Sequence, residues 1–362
     1  MKFRRDTIIF EPCDMAFVKK VGFMEAADLA ASFHVIYPSL PFLNDADQLA
    51  ALFAKERGPL EHFVRHINEK YCPITMLKRG GKAKRSGKAR HLNVPGNELN
   101  RMQRIINRRI LSKLALSEYA TAYRKGGSVQ HNANPHVGKH FILKLDITDF
   151  FGSIRFGQVY AAFHAIYDSK QVSYLLASLC CKDNVLPQGA STSPALSNLV
   201  MANFDNKIGT WCRDRNISYT RYCDDMTFSA DSPLYSAYQK AKELLCHMGF
   251  ELNEDKTHFI SSGSRQSVTG LTVNKKLSVS NDYKRELRQE VYFTLKFGAA
   301  DSIIKGSRTD YILDGKPETE RYLYHLLGKV QYVLWVEPDK QWFQDAKRSL
   351  EEMMMRRLKE DG

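Results

Sequence analysis

The chain has 362 residues, of which 43% are hydrophobic, so a sizeable core distributed over about two domains is expected. Its formal net charge of +13 indicates a polyanionic partner such as nucleic acid. Seven cysteines at irregular intervals, with no CxxC pair among them, argue against a disulfide framework and a zinc module and are typical of a reducing cytosol.

The first 140 residues favour helices and carry concentrated positive charge. Residues 1–70 show helical periodicity from Ala46 to Lys70, interrupted at Gly58-Pro59, and match no recognisable chemistry. The segment from Lys78 to Arg90 holds seven cations in thirteen residues, with glycines between them. We expect a basic loop there, followed by an amphipathic helix from Asn97 to Leu116.

An acidic residue closes an apolar strand in the middle of the chain. The run Phe141–Asp146 predicts a strand. A charged side chain at the end of an apolar strand is energetically costly, which suggests that the charge has a function. A helix N-cap is the alternative explanation, and Asp149 suits that role better than Asp146. Further along, Leu186–Leu199 predicts a Pro/Gly loop that is followed by the start of an apolar helix.

Two adjacent carboxylates lie between β-type flanks in Tyr219–Phe228. The pattern predicts a hairpin with Asp224 and Asp225 at its tight turn. Such a pair is often only a solvated turn. Two close carboxylates otherwise repel unless a divalent cation neutralises them. Joined with Asp146, they could hold two Mg²⁺ ions roughly 3.5–4 Å apart for a phosphoryl transfer.

The last third predicts a short strand-turn-strand and then helices. Ser267 to Val279 favours the strand pair, and the helical segments follow it. The expected helices run from Tyr283 to Phe297, from Glu318 to Leu334, and onward to about Lys359.

Three motifs in order resemble those of reverse transcriptases. They are Asp146 with its following aromatics, the Leu-Pro-Gln-Gly…Thr-Ser-Pro…Leu-Ser-Asn block, and Tyr222-Cys223-Asp224-Asp225. Gly249–Thr257 resembles the next polymerase motif, and the likeness extends from Tyr71 to Pro338. Asn132-Ala133-Asn134-Pro135-His136 and Val268-Thr269-Gly270 further resemble elements of bacterial retron reverse transcriptases.

The resemblance implies an α+β right-hand polymerase with fingers, palm and helical thumb. Its segments would be a helical extension over 1–70, fingers over 71–140, a palm of antiparallel sheet plus helices with the primer grip over 141–281, and a helical thumb that binds RNA over 282–362.

The resemblance also implies roles for individual residues. Two Mg²⁺ ions would be held by Asp146, Asp224, Asp225 and the carbonyl of Ile147. Lys256 would protonate the leaving pyrophosphate; the alternative is that it is an ordinary surface lysine. Phe151 would exclude ribonucleotides by a clash with the 2′-OH, unless it is a core residue like Phe150. The residues expected to bind the nucleotide are Lys78 or Lys82, Arg90, Asp149, Phe150, Phe151 and Gln188. Those expected to contact nucleic acid are Asn132, His136, Tyr222, Val268, Thr269, Gly270, Lys284, Arg285 and Arg288.

A retron enzyme would copy a structured noncoding RNA into DNA that is branched from an internal guanosine 2′-OH. Deoxynucleoside triphosphates would be its substrates, and an accessory effector protein would join it in anti-phage defence. Two alternatives stay open from the residues alone: a group II intron-like or other defence-associated reverse transcriptase, and a non-catalytic RNA-binding scaffold. From the 362 residues given, we expect no appended maturase, endonuclease or RNase H domain. With no signal peptide and no run of 18 apolar residues, we expect a cytoplasmic protein without a membrane partner.

Overall fold

A computed structural model describes residues 39–77 and 89–360. Two compact units emerge from it. The first contains residues up to Gly127 together with Leu143–Phe259, and the second contains Ser128–Ile142 together with the residues from Ile260 onward. The division into extension, fingers, palm and thumb stays a prediction.

The helices and strands follow one another in a mixed order. The helices are α1 (Ala46–Leu52), α2 (Arg57–Arg65), α3 (Asn97–Arg109), α4 (Val129–Ala133), α5 (Phe150–Ser153), α6 (Phe156–His164), α7 (Lys170–Cys180), α8 (Ser193–Arg213), α9 (Tyr235–His247), α10 (Asn281–Phe297), α11 (Ala299–Lys305), α12 (Thr319–Val336) and α13 (Gln341–Glu360). The strands are β1 (Tyr71–Leu77), β2 (Ala89–Pro95), β3 (Phe141–Asp146), β4 (Ser218–Tyr222), β5 (Asp225–Ala230), β6 (His258–Ser261), β7 (Ser267–Val268), β8 (Leu271–Thr272), β9 (Ile312–Leu313) and β10 (Lys316–Pro317). Short 3₁₀ helices occupy Ile67–Lys70, Leu111–Lys113, Asn134–His136, Glu254–Lys256 and Thr309–Tyr311.

Serine caps begin several of these helices where the sequence changes from loop to helix. The side chain of Ser128 accepts a hydrogen bond from the backbone N–H of His131 at the start of α4. Ser280 does the same for Tyr283 at the start of α10. Such caps satisfy N–H groups that have no partner within the helix. They therefore place the starts of these helices at defined points of the chain.

A four-stranded sheet in the order β4-β5-β3-β6 organises the first unit. Strands β4 and β5 form an antiparallel hairpin in which Tyr222 faces Asp225. This pairing confirms the predicted hairpin, but the prediction that Asp224 and Asp225 share the turn is wrong. The two-residue turn is Cys223 and Asp224, and Asp225 is the first residue of β5 because it pairs with Tyr222. In β5 the residues from Met226 to Ala230 are buried, so the strand is held on both faces. That burial gives the turn a rigid base.

The second unit packs α10, α12 and α13 around one apolar cluster. Leu287 and Val291 of α10 meet Leu326 and Val330 of α12 in that cluster, and Phe343 of α13 joins them. The β7–β8 hairpin packs against the same cluster through its own apolar side chains. The predicted strand-turn-strand is therefore present, but its paired strands are only two residues long.

Candidate active site

Asp146 lies at the end of β3 and forms an ion pair with Lys256. The lysine Nζ donates to Oδ1 and Oδ2 of Asp146, each at 2.8 Å. The carboxylate is only 8% exposed, whereas the lysine side chain is 59% exposed. The backbone supports the pair, because the carbonyl of Asp146 accepts a hydrogen bond from the N–H of Asn253 at 2.8 Å. The two polymerase-like motifs are thus joined at one carboxylate.

The Asp224 turn, defined as Tyr222–Asp225, adjoins the end of β3. The N–H of Ile147 donates to the carbonyl of Asp224 at 3.3 Å. Asp225 begins β5 and is exposed, and Cys223 has the left-handed φ of 64°. The three carboxylates selected from the sequence therefore belong to two neighbouring chain segments.

The three carboxylates influence one another electrostatically. The pKa of Asp225 is raised from its ordinary value, first because neighbouring protein atoms partly desolvate the carboxylate although it still reaches solvent, and next by the negative charge of Asp224. The charge of Asp146 adds to the increase, whereas Lys144 and Lys256 oppose it. Like charges that cannot separate disfavour ionisation of one another. The site consequently favours an additional positive charge.

The residues suit a divalent cation by their chemistry. Carboxylate oxygens are the ligands that hard cations prefer. A cation among Asp146, Asp224 and Asp225 would relieve the repulsion that raises the pKa of Asp225. Among residues 39–77 and 89–360, however, no group of three or more His, Cys, Asp or Glu side chains is assembled for a metal ion. At Asp146 the ammonium of Lys256 supplies the positive charge instead.

The two phenylalanines after β3 differ in burial. Phe150 is 4% exposed and its ring lies 6.2 Å from that of Phe250, so it belongs to the core. Phe151 is half-buried, and its ring centroid lies 5.4 Å from that of Phe150. Asp149, which precedes α5, has a left-handed φ of 41° and is exposed. Of the two rings, Phe151 is therefore the one available to a substrate.

The strand that carries Arg90 is tied to the loop that carries Gln188. The N–H of Asn93 in β2 donates to the carbonyl of Gln188 at 2.8 Å. Arg90 and Gln188 both have exposed side chains. Lys78 and Lys82, the other cations predicted to contact the triphosphate, lie outside the described residues.

The two retron-like elements meet inside the second unit. Nδ2 of Asn132 donates to Oγ1 of Thr269 at 3.4 Å, and that hydroxyl donates to the carbonyl of Val129 at 3.2 Å. Thr269 and Gly270 have φ values of 45° and 85°, the pattern of a type I′ hairpin turn. Both elements therefore shape one piece of structure, although they are far apart in the sequence.

Most side chains of these elements are buried. His136 is fully buried, and burial lowers its pKa to about 3, so the ring is neutral near pH 7. Asn132 and Val268 are also buried, Thr269 is half-buried, and Gly270 is exposed at the turn. Direct contact with nucleic acid is therefore easiest at Gly270, and the buried residues support the turn.

The three cations predicted on α10 have different environments. Lys284 is buried, and its Nζ donates to Oε1 of Glu337 at 2.7 Å, a geometry that indicates a structural role rather than the predicted nucleic-acid contact. Arg285 has a side chain that is 71% exposed. Arg288 is exposed and lies over the ring of Phe343 at 5.2 Å. The predicted RNA-binding group is thus reduced to its two arginines, because Lys284 is committed to an internal ion pair.

Sequence reasoning overlooked a charged pair behind the Asp224 turn. Arg221 of β4 and Asp205 of α8 form an ion pair in which both side chains are 0% exposed. The signal that could have revealed it is an arginine among the apolar residues of a buried strand, since an arginine is almost never fully buried unless it is paired.

Comparison with known proteins agrees with these motifs. Residues 78–290 match the family described as reverse transcriptase (RNA-dependent DNA polymerase). The Retron Ec86 reverse transcriptase of Escherichia coli is 29% identical, with 85% of this chain and 96% of that protein covered. The Retron Mx65 reverse transcriptase of Myxococcus xanthus is 30% identical, with 83% of this chain and 70% of that protein covered. The chain belongs to the retron reverse transcriptases.

The enzyme is accordingly an RNA-directed DNA polymerase, and an RNA template is its partner. The predicted polymerase fold, with helices and antiparallel strands, is confirmed by the family match. Reverse transcriptases generally use divalent metal ions, in keeping with the carboxylates at β3 and the Asp224 turn. A solved telomerase from Candida albicans in complex with telomeric RNA aligns with a TM-score of 0.44 at 10% identity, covering 82% of this chain and 67% of that one. Within the described residues, no helix combines the length and apolar character that crossing a membrane requires.

Proposed function

We propose that this reverse transcriptase copies a structured noncoding RNA into single-stranded DNA that stays linked to the RNA. Synthesis would be primed from the 2′-OH of an internal guanosine, and the product would act with an effector protein in anti-phage defence. The observation that carries the proposal is the meeting of Asn132 with Thr269, which joins the two retron-like elements into one structure. The identity to two retron enzymes supports it as well.

Two Mg²⁺ ions, held by Asp146, Asp224, Asp225 and the carbonyl of Ile147, would activate the primer hydroxyl and neutralise charge on the leaving pyrophosphate. The chain's own residues would position the reactants, which supplies much of the rate in phosphoryl transfers. Lys256 already reaches the site, and its ammonium would deliver a proton to the pyrophosphate.

The incoming deoxynucleotide would be held from several directions. The guanidinium of Arg90 would pair with phosphate oxygens, assisted by Lys78 or Lys82, since arginine suits bidentate phosphate contact. The backbone amides of Asp149 and Phe150 would also meet the triphosphate. Gln188 would contact the nucleotide, Phe151 would exclude the 2′-OH, and Tyr222 would support the primer end.

RNA recognition would lie on the second unit. Arg285 and Arg288 of α10 are exposed cations, and double-stranded RNA is recognised largely through phosphates, 2′-hydroxyls and shape. At the turn between β7 and β8, Gly270 would let the RNA approach the protein backbone closely. Asn132, His136, Val268 and Thr269 would act from inside by holding that turn in place.

The chemistry is tested by Asp224→Asn, which removes one charge from the carboxylate group. We expect DNA synthesis on the cognate RNA to fall by several orders of magnitude while RNA binding persists. Asp214→Asn, at an exposed residue that follows α8, is the matched control and should behave as wild type. If Asp224→Asn keeps more than about a tenth of the activity, a loss of only ~1.4 kcal/mol, the metal-ligand assignment is wrong.

The product is tested by sequencing the nucleic acid that co-purifies with the enzyme. A branched molecule, with DNA joined to an internal guanosine of its own template RNA, is expected. A linear DNA primed from a 3′-OH would instead support a group II intron-like or other reverse transcriptase. Phage challenge of cells that carry Asp224→Asn then tests whether defence depends on synthesis.

A further inference from the structure

A fully buried ion pair lies directly behind the Asp224 turn. Nε of Arg221 donates to Oδ1 of Asp205 at 2.8 Å, and Nη2 donates to Oδ2 at 2.6 Å. The hydroxyl of Tyr219 donates to the same Oδ1 at 2.8 Å. The arrangement is a bidentate pair, the geometry in which arginine and a carboxylate bind most strongly.

Stability alone does not account for this pair. Removing two charges from water costs several kcal/mol per ion, and replacing a buried pair with apolar residues is often neutral or stabilising. The side chains of Arg221 and Asp205 are both 0% exposed, so the cost applies in full. A function that needs the direction of the guanidinium is therefore the better explanation.

The remaining donors of the guanidinium point at the turn and at its support. Nη1 of Arg221 donates to the carbonyl of Cys223 at 2.9 Å, and Nη2 also donates to Oδ1 of Asn198 at 3.2 Å. Nδ2 of Asn198 in turn donates to the carbonyl of Ala122 at 2.9 Å. Because the guanidinium is a rigid planar fork, fixing it on Asp205 and Asn198 also fixes where it holds Cys223.

Cys223 needs such support, because its backbone is strained. Its φ of 64° falls in the left-handed region, a conformation that is unfavourable for a non-glycine residue and persists only when its surroundings determine it. Its side chain is held too, since the hydroxyl of Tyr123 donates to Sγ at 3.2 Å. Tyr123 follows Ala122, whose carbonyl Asn198 holds. The carbonyl and the thiol of Cys223 are thus both restrained by groups connected to Arg221.

We infer that Arg221 is a positioning residue that holds the Asp224 turn in its reactive geometry through the carbonyl of Cys223, with Asp205 and Asn198 orienting its guanidinium. The inference rests on the proposed role of Asp224 in catalysis. Arginine suits the role because its charge does not titrate, so the support persists at every pH at which the enzyme works. Lysine would keep the charge but lack the fork.

The test replaces the pair without leaving a buried charge. In the double variant Arg221→Met/Asp205→Leu, we expect the melting temperature to stay within a few degrees of wild type. Single-turnover incorporation on the cognate RNA should slow by about 100-fold, the scale of a misplacement near 1 Å, while KM for the nucleotide changes by less than about threefold. Arg221→Lys should give an intermediate rate.

A second readout does not depend on catalysis. Alkylation of Cys223 by N-ethylmaleimide, followed by peptide mass spectrometry, reports whether the turn is held. Cys246, exposed on α9, serves as the internal reference. We expect Cys223 in the double variant to react at least several-fold faster than in wild type. Gln158→Leu, which removes a buried amide that donates to the carbonyl of Met248, is the control and should change neither readout.

Two results would overturn the inference. One is a folded double variant with the wild-type incorporation rate and the wild-type Cys223 alkylation rate, and the other is faster alkylation of Cys223 with an unchanged incorporation rate. If the double variant does not fold, the incorporation rate and the Cys223 alkylation rate are measured in Asn198→Ala and judged by the same criteria. That variant leaves the ion pair intact and removes one contact that orients it. The role of Asp224 itself is judged separately by Asp224→Asn in the otherwise wild-type enzyme.

Discussion

The residues after β3 show how burial divides similar side chains between core and site. Phe150 packs against Phe250 in the interior, whereas Phe151 keeps part of its ring accessible. Both follow Asp146 by a few positions, so the orientation of the short helix α5 decides which ring can meet a sugar. A substitution at each position should therefore have a different effect.

Phe151→Ala should raise ribonucleotide use relative to deoxyribonucleotide use, because in the proposed role of Phe151 the substitution would open space beside C2′ of the incoming sugar. We expect the ratio of kcat/KM for the two substrates to shift by about tenfold or more, equal to ~1.4 kcal/mol. Phe150→Ala is the control: it should lower stability by about 3–5 kcal/mol with little change in that ratio. An unchanged ratio in Phe151→Ala would assign the sugar selection elsewhere.

His136 should make the second unit sensitive to acid. Burial lowers its pKa to about 3, below the value near 6.5 in an unfolded chain. Its contribution to stability is therefore complete above pH 6.5 and is lost as the pH falls toward 3, since only the unfolded chain takes up the proton. The loss is at most about 1.4 kcal/mol per pH unit.

The measurement is chemical unfolding between pH 7.5 and 5 for wild type and His136→Gln. The variant should start less stable but show a shallower loss of unfolding free energy with falling pH. His131→Gln, at an exposed histidine of α4, should keep the wild-type slope. Equal slopes in all three proteins would mean that His136 is not the group responsible.

At the scale of elements, buried ion pairs connect the parts of the second unit. Glu337, directly after α12, accepts hydrogen bonds from Nζ of Lys284 at 2.7 Å and from the N–H of Val279 at 3.0 Å. Glu290 of α10 pairs with Lys329 of α12 at 2.6 Å. Both carboxylates are only 6% exposed. Helices α10 and α12 are therefore joined by charge as well as by apolar contact.

Lys284→Met should be strongly destabilising, because it removes the hydrogen-bonded cation of the buried Glu337 carboxylate and leaves only the half-exposed Lys340, whose Nζ lies 3.7 Å from Oε2. The expected loss is about 3–5 kcal/mol of unfolding free energy. Arg285→Met, one position along α10 at an exposed side chain, should change stability by less than about 0.5 kcal/mol. Urea unfolding of the two variants distinguishes the roles, and similar losses would contradict the structural assignment of Lys284.

At the scale of the whole molecule, the net charge of +13 attracts any nucleic acid. Specificity for one RNA therefore has to come from where the charged side chains lie. Arg285 and Arg288 are exposed on one helix of the second unit. Asp146, Asp224 and Asp225, the carboxylates proposed to be catalytic, belong to the first unit. Selection of the RNA and chemistry on it should consequently be separable by mutation.

Replacing Arg285 and Arg288 together with alanine should weaken binding of the cognate RNA and flatten its salt dependence. Each lost phosphate contact removes about 0.7–0.9 from the slope of log K against log salt. The variant should still extend an annealed DNA primer on a generic template. Lys347→Ala/Arg348→Ala on α13 removes the same charge and is the matched control. An equal loss of activity on the cognate RNA and on the generic template would show that the two arginines bind nucleic acid in general.

The sequence by itself determined the family, the order of the motifs and the local structure around the carboxylates. The β-branched and aromatic residues on either side indicate the β4–β5 hairpin, and their position along the chain places Asp224 at its turn. These features depend on neighbours within a few positions, which a sequence displays directly. For the same reason the predicted ends of α10 and α12 lie within about two residues of the observed ones, whereas the short helices α4 and α11 were not predicted.

Only the tertiary structure decided which polar side chains are buried and what they hold. Lys284 and Arg285 are adjacent cations, yet one lies inside against Glu337 and the other faces solvent. Arg221 meets Asp205 on a different element 16 positions away, and Asn132 meets Thr269 across 137 positions. Whether a charge is paired or exposed depends on packing between distant segments, and desolvation makes that difference worth several kcal/mol.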